Sequence, residues 1–288
     1  MLWLIGWPSC ISSICLRRDN PSLPSPLNTR QCSMSELITF EQPLNEKSRT
    51  LLRLSHLFEQ LDFFTSKAGE WNVRGSLQAL LDITAVLTRG DLKTEIVKEL
   101  DRFRIFFERL KSSNDVDMNR LQHVLQNIEY ARKSLKNISG ALGQSLRQDE
   151  FLSAILQRST IPGGTFDFDI PQLHYWLNQS HSDQLLQMDD WRNEIGPVQD
   201  AVELLLGMIR ESTVSKHCVA ERGFYNQSLS SDSSSQLVQV KVAKDENVFC
   251  EISGGKQRFT LRFIEVSELG HGKPTEHDIP FELKVCQL

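Results

Sequence analysis

The apolar residues of this 288-residue chain change their period near residue 214. Before that point they recur every three or four positions, which gathers them on one face of a helix. After it they alternate with polar residues, which gathers them on one face of a strand. Helix-patterned and strand-patterned segments bury their apolar surface in different layers, so the two stretches call for separate cores. The pattern predicts an α+β fold: a helical domain over 34–214, then a smaller antiparallel β domain over 215–288.

The early part opens on a short strand, 37–42, which Pro43 ends because it has no amide hydrogen to donate. That strand is expected to join the β part. Asn45 can cap the helix that follows, whose face is Leu51, Leu54, Phe58 and Leu61. Gly69 and Gly75 are read as bracketing a turn before the stripe Leu77, Leu80, Leu81, Ile83 and Leu87. Gly90 stops that helix and Asp91 caps the next, which buries Leu92, Ile96, Leu100, Phe103, Phe107 and Leu110 and turns Glu99, Arg102 and Glu108 outward. Asp117 starts another, carrying Leu121, Val124, Leu125, Ile128 and Leu135 up to Gly140. A further helix is expected over 147–158, then a turn at Ile161-Pro162-Gly163-Gly164, and an extended stretch in which Phe166, Phe168 and Ile170 alternate with aspartates. Pro171 opens a short helix, and the last long helix is expected from about Pro197. In the β part, Val238/Val240/Val242, Phe259/Leu261/Phe263 and Phe281/Leu283/Val285 face inward, with Gln239, Lys241 and the arginines outward. The stretch 228–236 is a serine-rich loop.

Residues 1–33 differ from this body. An apolar run to Cys15 is followed by Arg17 and Arg18 and then by a Pro/Ser/Asn stretch. A signal peptide carries its charge before the apolar run, and a membrane-crossing helix needs about 20 apolar residues. The expectation is that translation starts at Met34 and that 1–33 is a non-native or disordered leader.

Hydrophobic residues make up 40% and charged residues 24%, and the formal net charge is −5, a balance unlike the basic excess of most nucleic-acid binders. The six cysteines include no C-x-x-C pair, and the seven histidines have no metal-ligand spacing. No phosphate-loop, nucleophile-elbow or H-E-x-x-H motif occurs. Asp167/Asp169 and Asp189/Asp190 read as surface carboxylates rather than a general acid and base. Ser253-Gly254-Gly255-Lys256 reads as a hairpin turn, since strand-like sequence lies on both sides. The reading is therefore of a non-enzyme with no cofactor and no metal.

What stands out is basic. Over 257–264, Arg258, Thr260 and Arg262 share one face and Phe259, Leu261 and Phe263 the other, with Lys256 just before. Guanidinium groups so placed can hold carboxylates through paired hydrogen bonds. The same pattern describes the solvated face of any half-buried sheet, including one whose arginines pair across strands with Glu251 or Glu282.

Four segments, in order, resemble the ZapD family of cell division proteins. They are Phe40-Glu41-Gln42-Pro43-Leu44-Asn45-Glu46-Lys47 with Arg49-Thr50 and Leu52-Arg53; Leu100-Asp101-Arg102; Ile161-Pro162-Gly163-Gly164 with Leu173-His174-Tyr175-Trp176-Leu177; and Ile252-Ser253-Gly254-Gly255-Lys256-Gln257-Arg258-Phe259 through Arg262-Phe263. The resemblance runs from Met34 to near the end of the chain. It implies a symmetric dimer of two-part protomers that binds the C-terminal tail of the tubulin-like GTPase FtsZ, bundles its filaments, and sits in the cytoplasm at the mid-cell division ring. It also implies a positively charged pocket for the tail, to which Arg49, Arg53, Arg147, His174, Lys256, Arg258 and Arg262 correspond. One departure is Glu150, where relatives can carry a basic residue. No membrane or nucleic-acid partner is implied; the rival reading is a nucleic-acid binder using the same basic face, which lacks the aromatic motif of RNA-binding sheets.

Overall fold

The computed structural model of the protein describes residues 36–112, 116–230, 234–255, 257–266 and 272–287. Residues 1–35, with the expected start at Met34, lie outside them, as do Lys256 and 231–233 of the serine-rich stretch. The described residues form two compact units. One takes the residues up to Arg49, 116–117, and those from Leu206 onward; the other takes Thr50–Ser112 and Met118–Leu205.

The helical unit is built from α1 (Glu46–Thr65), α2 (Glu70–Leu87), α3 (Leu92–Leu110), α4 (Met118–Asn137), α5 (Gln144–Gln148), α6 (Glu150–Ser159), α7 (Pro171–Leu177) and the greater part of α8 (His181–Glu211). Its local signals follow the side-chain chemistry. The Asn45 side chain accepts a hydrogen bond from the Ser48 amide at 2.8 Å, and Asp91 and Asp149 cap α3 and α6 in the same way. The expected apolar stripes are mostly buried, with Leu54, Leu80, Ile83, Leu100, Ile128 and Leu135 fully so, while Leu110 and Leu125 are half-buried. Phe151, Trp176 and Trp191 add a ring cluster with centroids 5.5–6.2 Å apart, which seats α7 on α6 and α8.

Five expectations for this unit need correcting. Gly75 does not bracket a turn but lies inside α2, where the Phe64 ring packs so close that a Cβ would sit 2.9 Å from it. The helix expected over 147–158 is two, because Asp149 leaves helical geometry to cap α6. Glu99 is buried rather than outward, held by Arg102 one turn on. The turn expected at 161–164 is present, but residues 166–170 continue it as further turns instead of an extended stretch, with the Asp169 and Ile170 amides both bonded to the Phe166 carbonyl. The long helix begins at His181, not Pro197; Pro197 sits within it, and Met188, Trp191, Ile195 and Val198 continue one buried stripe across the proline.

The β unit is a sandwich of two four-stranded sheets. Its strands are β1 (Leu37–Pro43), β2 (Lys216–Ala220), β3 (Phe224–Ser228), β4 (Ser235–Ala243), β5 (Val248–Gly254), β6 (Arg258–Val266), β7 (Gly272–Pro274) and β8 (Ile279–Gln287). Sheet A has the order β1-β4-β8-β2, and sheet B the order β3-β6-β5 with β7 also on β6; all pairs are antiparallel. The N-terminal strand thus joins the β part, on the edge of sheet A, where the missing amide hydrogen of Pro43 is tolerated. Alternation builds the core: Val238, Val240, Val242, Phe281 and Leu283 of sheet A meet Cys250, Phe259, Leu261 and Phe263 of sheet B. Phe263 and Phe281 touch across the layers with centroids 5.3 Å apart.

Sheet A departs from simple alternation. Gln239, expected outward, is buried, and so are Leu237 and Cys286 on the same face. The end of α8 covers them: Arg210 forms a paired contact with Glu41 of β1 at 2.9 and 2.8 Å, and Gln239 donates to the same carboxylate at 3.0 Å. The Thr213 hydroxyl donates to the Val285 carbonyl at 3.1 Å.

Candidate partner-binding surface

The outer face of sheet B carries the two arginines singled out by pattern. Register places Arg258 opposite Ser228, Thr260 between Asn226 and Ser253, and Arg262 between Phe224 and Glu251. Both arginines are exposed, while Phe259, Leu261 and Phe263 between them are buried. Four residues of strand separate the arginines by about 13 Å. Among the described residues neither forms an ion pair, although Glu251 lies across from Arg262. Glu282 belongs to the other sheet, opposite His217 and Lys241. The strand therefore presents two available guanidinium groups on a rigid base, with hydroxyl and amide side chains around them.

The hairpin that leads into this face is tight. The Gly255 amide donates to the Arg258 carbonyl at 3.0 Å, closing β5 onto β6. A Cβ on Gly254 would meet Leu44 at 2.7 Å, so the turn lies against the junction of β1 and α1. Arg49 follows one turn along α1 from its cap, and its guanidinium lies 2.6 Å from the exposed Glu46 carboxylate. Arg49 and the two sheet arginines thus belong to the same unit. On the inner side, burial first and the Glu251 charge second push the Cys250 thiol up to about 12, so it has no nucleophilic character near neutral pH.

Of the remaining candidates, Arg53, Arg147 and His174 lie in the helical unit. Arg53, one turn beyond Arg49, is exposed on α1. Arg147 is exposed on α5 and lines a surface cleft of about 450 Å³ together with Lys93, Asp91 and Gln144. Lys93 donates to the Ile138 carbonyl at 2.6 Å, which fixes one wall of that cleft. His174 is on α7 with its Nδ1 3.1 Å from Asp167. Glu150 is exposed in the first turn of α6, where a carboxylate suits the positive end of the helix. Lys256 lies outside the described residues.

Two features were not anticipated. Around His174 the turns and α7 expose Phe166, Phe168 and Tyr175, at 58%, 78% and 70%, with the two phenylalanine rings 5.4 Å apart. Their alternation with aspartates imitates a strand, which hid them. Phe224 is also exposed beside Arg262. Its neighbour Tyr225 is aromatic too, so no period revealed which one faces out. Among the described residues no three His, Cys, Asp or Glu side chains converge as a metal site would require, and no helix is long and apolar enough to cross a membrane.

Comparison with known proteins decides the lineage. Residues 52–262 match the family model described as "ZapD: Cell division protein". The chain belongs to the ZapD family. ZapD relatives align over nearly all of their own length. "Cell division protein ZapD" of Methylococcus capsulatus is 35% identical over 257 residues, covering 88% of this chain and 100% of the relative. The protein of the same name from Nitrosomonas eutropha is 34% identical, and that from Ralstonia pickettii 36%, each covering 88% of this chain and 100% of the relative. Arg53, Arg147, His174, Arg258 and Arg262 all fall within the ZapD-matched segment.

Proposed function

We propose that this ZapD-family protein binds the acidic C-terminal tail of FtsZ and crosslinks FtsZ filaments into bundles, stabilising the division ring and promoting septum formation. The observation that carries the reading is the outer face of sheet B, where Arg258 and Arg262 stand exposed and, among the described residues, without ion-pair partners. Carboxylates of an extended peptide can meet such a face without first displacing internal ones. Arg49, Arg53, Arg147, His174 and Lys256 are assigned supporting contacts to the same tail.

A disordered tail loses conformational entropy on binding, so a single engagement is weak. Bundling then needs more than one site per particle. A twofold homodimer offers two equivalent sites, each able to hold a tail from a different filament, and linked weak contacts give avidity. Exposed charges are screened beyond about 8–10 Å at physiological salt, so binding weakens as salt rises. The reading places the protein in the cytoplasm at mid-cell, and assigns it no catalysis, metal or cofactor.

Co-sedimentation with GTP-assembled FtsZ tests the proposal. The parent protein should pellet with filaments and bundle them, FtsZ lacking its tail should not recruit it, and Arg258→Glu with Arg262→Glu should lose bundling while the circular dichroism spectrum is kept. Bundling unchanged in that double variant removes the proposed face. Duplex DNA that displaces a labelled tail peptide as efficiently as unlabelled peptide would favour a nucleic-acid reading instead.

A further inference from the structure

The outer face of sheet B is not uniformly polar. Its basic half, Arg258, Thr260 and Arg262 with Ser228, Asn226 and Ser253 alongside, gives way at the Arg262 row to an apolar half. Phe224 stands in register beside Arg262 on β3, and the next row of β6 and β5 pairs Ile264 with Phe249. Phe224 is 43% exposed although it belongs to a regular strand. An exposed aromatic ring is a usable contact when it is held still, because ordering it costs little.

The backbone of Phe224 is fixed by its turn. Arg222 and Gly223 link β2 to β3 with φ of 49° and 69°, both in the left-handed region. The Phe224 amide donates to the Glu221 carbonyl at 3.0 Å, which closes a two-residue hairpin of the primed type. The Arg222 amide is bonded to Asp278 at 2.8 Å, and the Phe263 amide to the Gly223 carbonyl at 2.8 Å, so both adjoining segments fix the turn. An arginine with positive φ is a strained choice that the surroundings must over-determine. The strain falls where it sets the backbone position of Phe224 beside Arg262.

We infer that Phe224 is a specificity-determining contact of the peptide face: it receives an apolar side chain of the bound tail while Arg258 and Arg262 take carboxylates. The ligand so defined is an extended acidic segment with an apolar side chain next to a carboxylate, running along β6. Two available guanidinium groups select the acidic part by charge, and the Phe224 ring selects the apolar part by contact area. This inference rests on the reading of the basic face proposed above.

Fluorescence anisotropy with two labelled peptides separates the two claims. One peptide is the FtsZ C-terminal tail, and the other is the same peptide with its apolar side chains replaced by serine. Phe224→Ala should weaken binding of the first by roughly tenfold and leave the second unchanged, since an aromatic contact of this kind corresponds to about one decade of affinity. Phe224→Leu should restore most of the loss, which a merely charged surface would not require. Equal weakening of both peptides by Phe224→Ala, or no weakening of either, overturns the inference. Arg258→Glu with Arg262→Glu should abolish binding of both peptides; its failure to do so would sink the basic-face reading itself, independently of Phe224.

Discussion

The Glu41 carboxylate is the point at which the N-terminal strand is tied into the β unit, and its removal should be costly. It accepts two bonds from Arg210, at 2.9 and 2.8 Å, and one from Gln239 at 3.0 Å. Glu41→Ala leaves the Gln239 amide, only 9% exposed, without that acceptor. A buried donor left unsatisfied costs about 1–3 kcal/mol, and a hydrogen bond to a charged group contributes about 1.5–3 kcal/mol. The Arg210 side chain remains 36% exposed, so water recovers part of its loss. The expected total is about 3 kcal/mol. Glu41→Gln keeps an acceptor for Gln239 and removes only the charge, so about 1 kcal/mol is expected. Urea denaturation followed by circular dichroism reads the size of the effect. With a slope near 2 kcal/mol/M the alanine variant should shift the midpoint by about 1.5 M. Hydrogen exchange should show the loss concentrated in β1 and β4. If both variants stay within about 0.5 kcal/mol of the parent, or if glutamine costs as much as alanine, the carboxylate does not hold the strand as argued.

Two further outcomes follow from the titrating groups. Burial pushes the thiols of Cys250 and Cys286 up to about 12 and about 11, so among the cysteines of the described residues iodoacetamide at pH 8 should label the half-buried Cys218 first and spare these two until urea unfolds the β unit; mass spectrometry of native-state labelling that finds Cys250 or Cys286 modified before Cys218 contradicts this. Burial, then the charges of Asp200, Asp62 and Glu59, holds the Glu203 carboxyl above its usual 4.5, with the Gln199 hydrogen bond opposing them. A raised carboxyl binds its proton more tightly folded than unfolded, so stability gains as pH falls through that raised range and the ionised form is unfavourable at pH 7. Glu203→Gln should therefore stabilise the helical unit by about a few tenths of a kcal/mol at pH 7, the side chain being only partly covered and still reached by water, and the gain should vanish below pH 4. A destabilised variant at pH 7 would show that the carboxylate is favourably paired.

Several elements could be read from residues alone because one local rule governed each. Asn45, Asp91 and Gly90 mark helix boundaries through their own side chain or backbone freedom, and the structure uses them so. The inward faces of β4, β6 and β8 followed from their alternation. The errors occurred where a local rule met a stronger tertiary one. Pro197 marked a helix start by propensity, yet the stripe from Met188 to Val198 supplied enough buried surface for α8 to run through it. Gly75 resembled a turn residue, but it sits in a helix because the Phe64 ring needs the space a side chain would fill.

The candidate surface divides along the same line. The sequence by itself determined that Arg258, Thr260 and Arg262 share a face, since alternation leaves a strand no other choice. It also determined the family, because the ordered motifs span most of the chain. Tertiary structure decided most of what surrounds those arginines. β5 adjoins β6 through a local hairpin that the sequence announces, but which strand lies on the other side of β6 depends on pairing over a long sequence separation, which no local period encodes. Pairing removed Glu282 to the other sheet, set Glu251 across from Arg262, and brought Phe224 to the arginine's other side. It likewise buried Gln239 under the end of α8, where alternation alone would have left it in water.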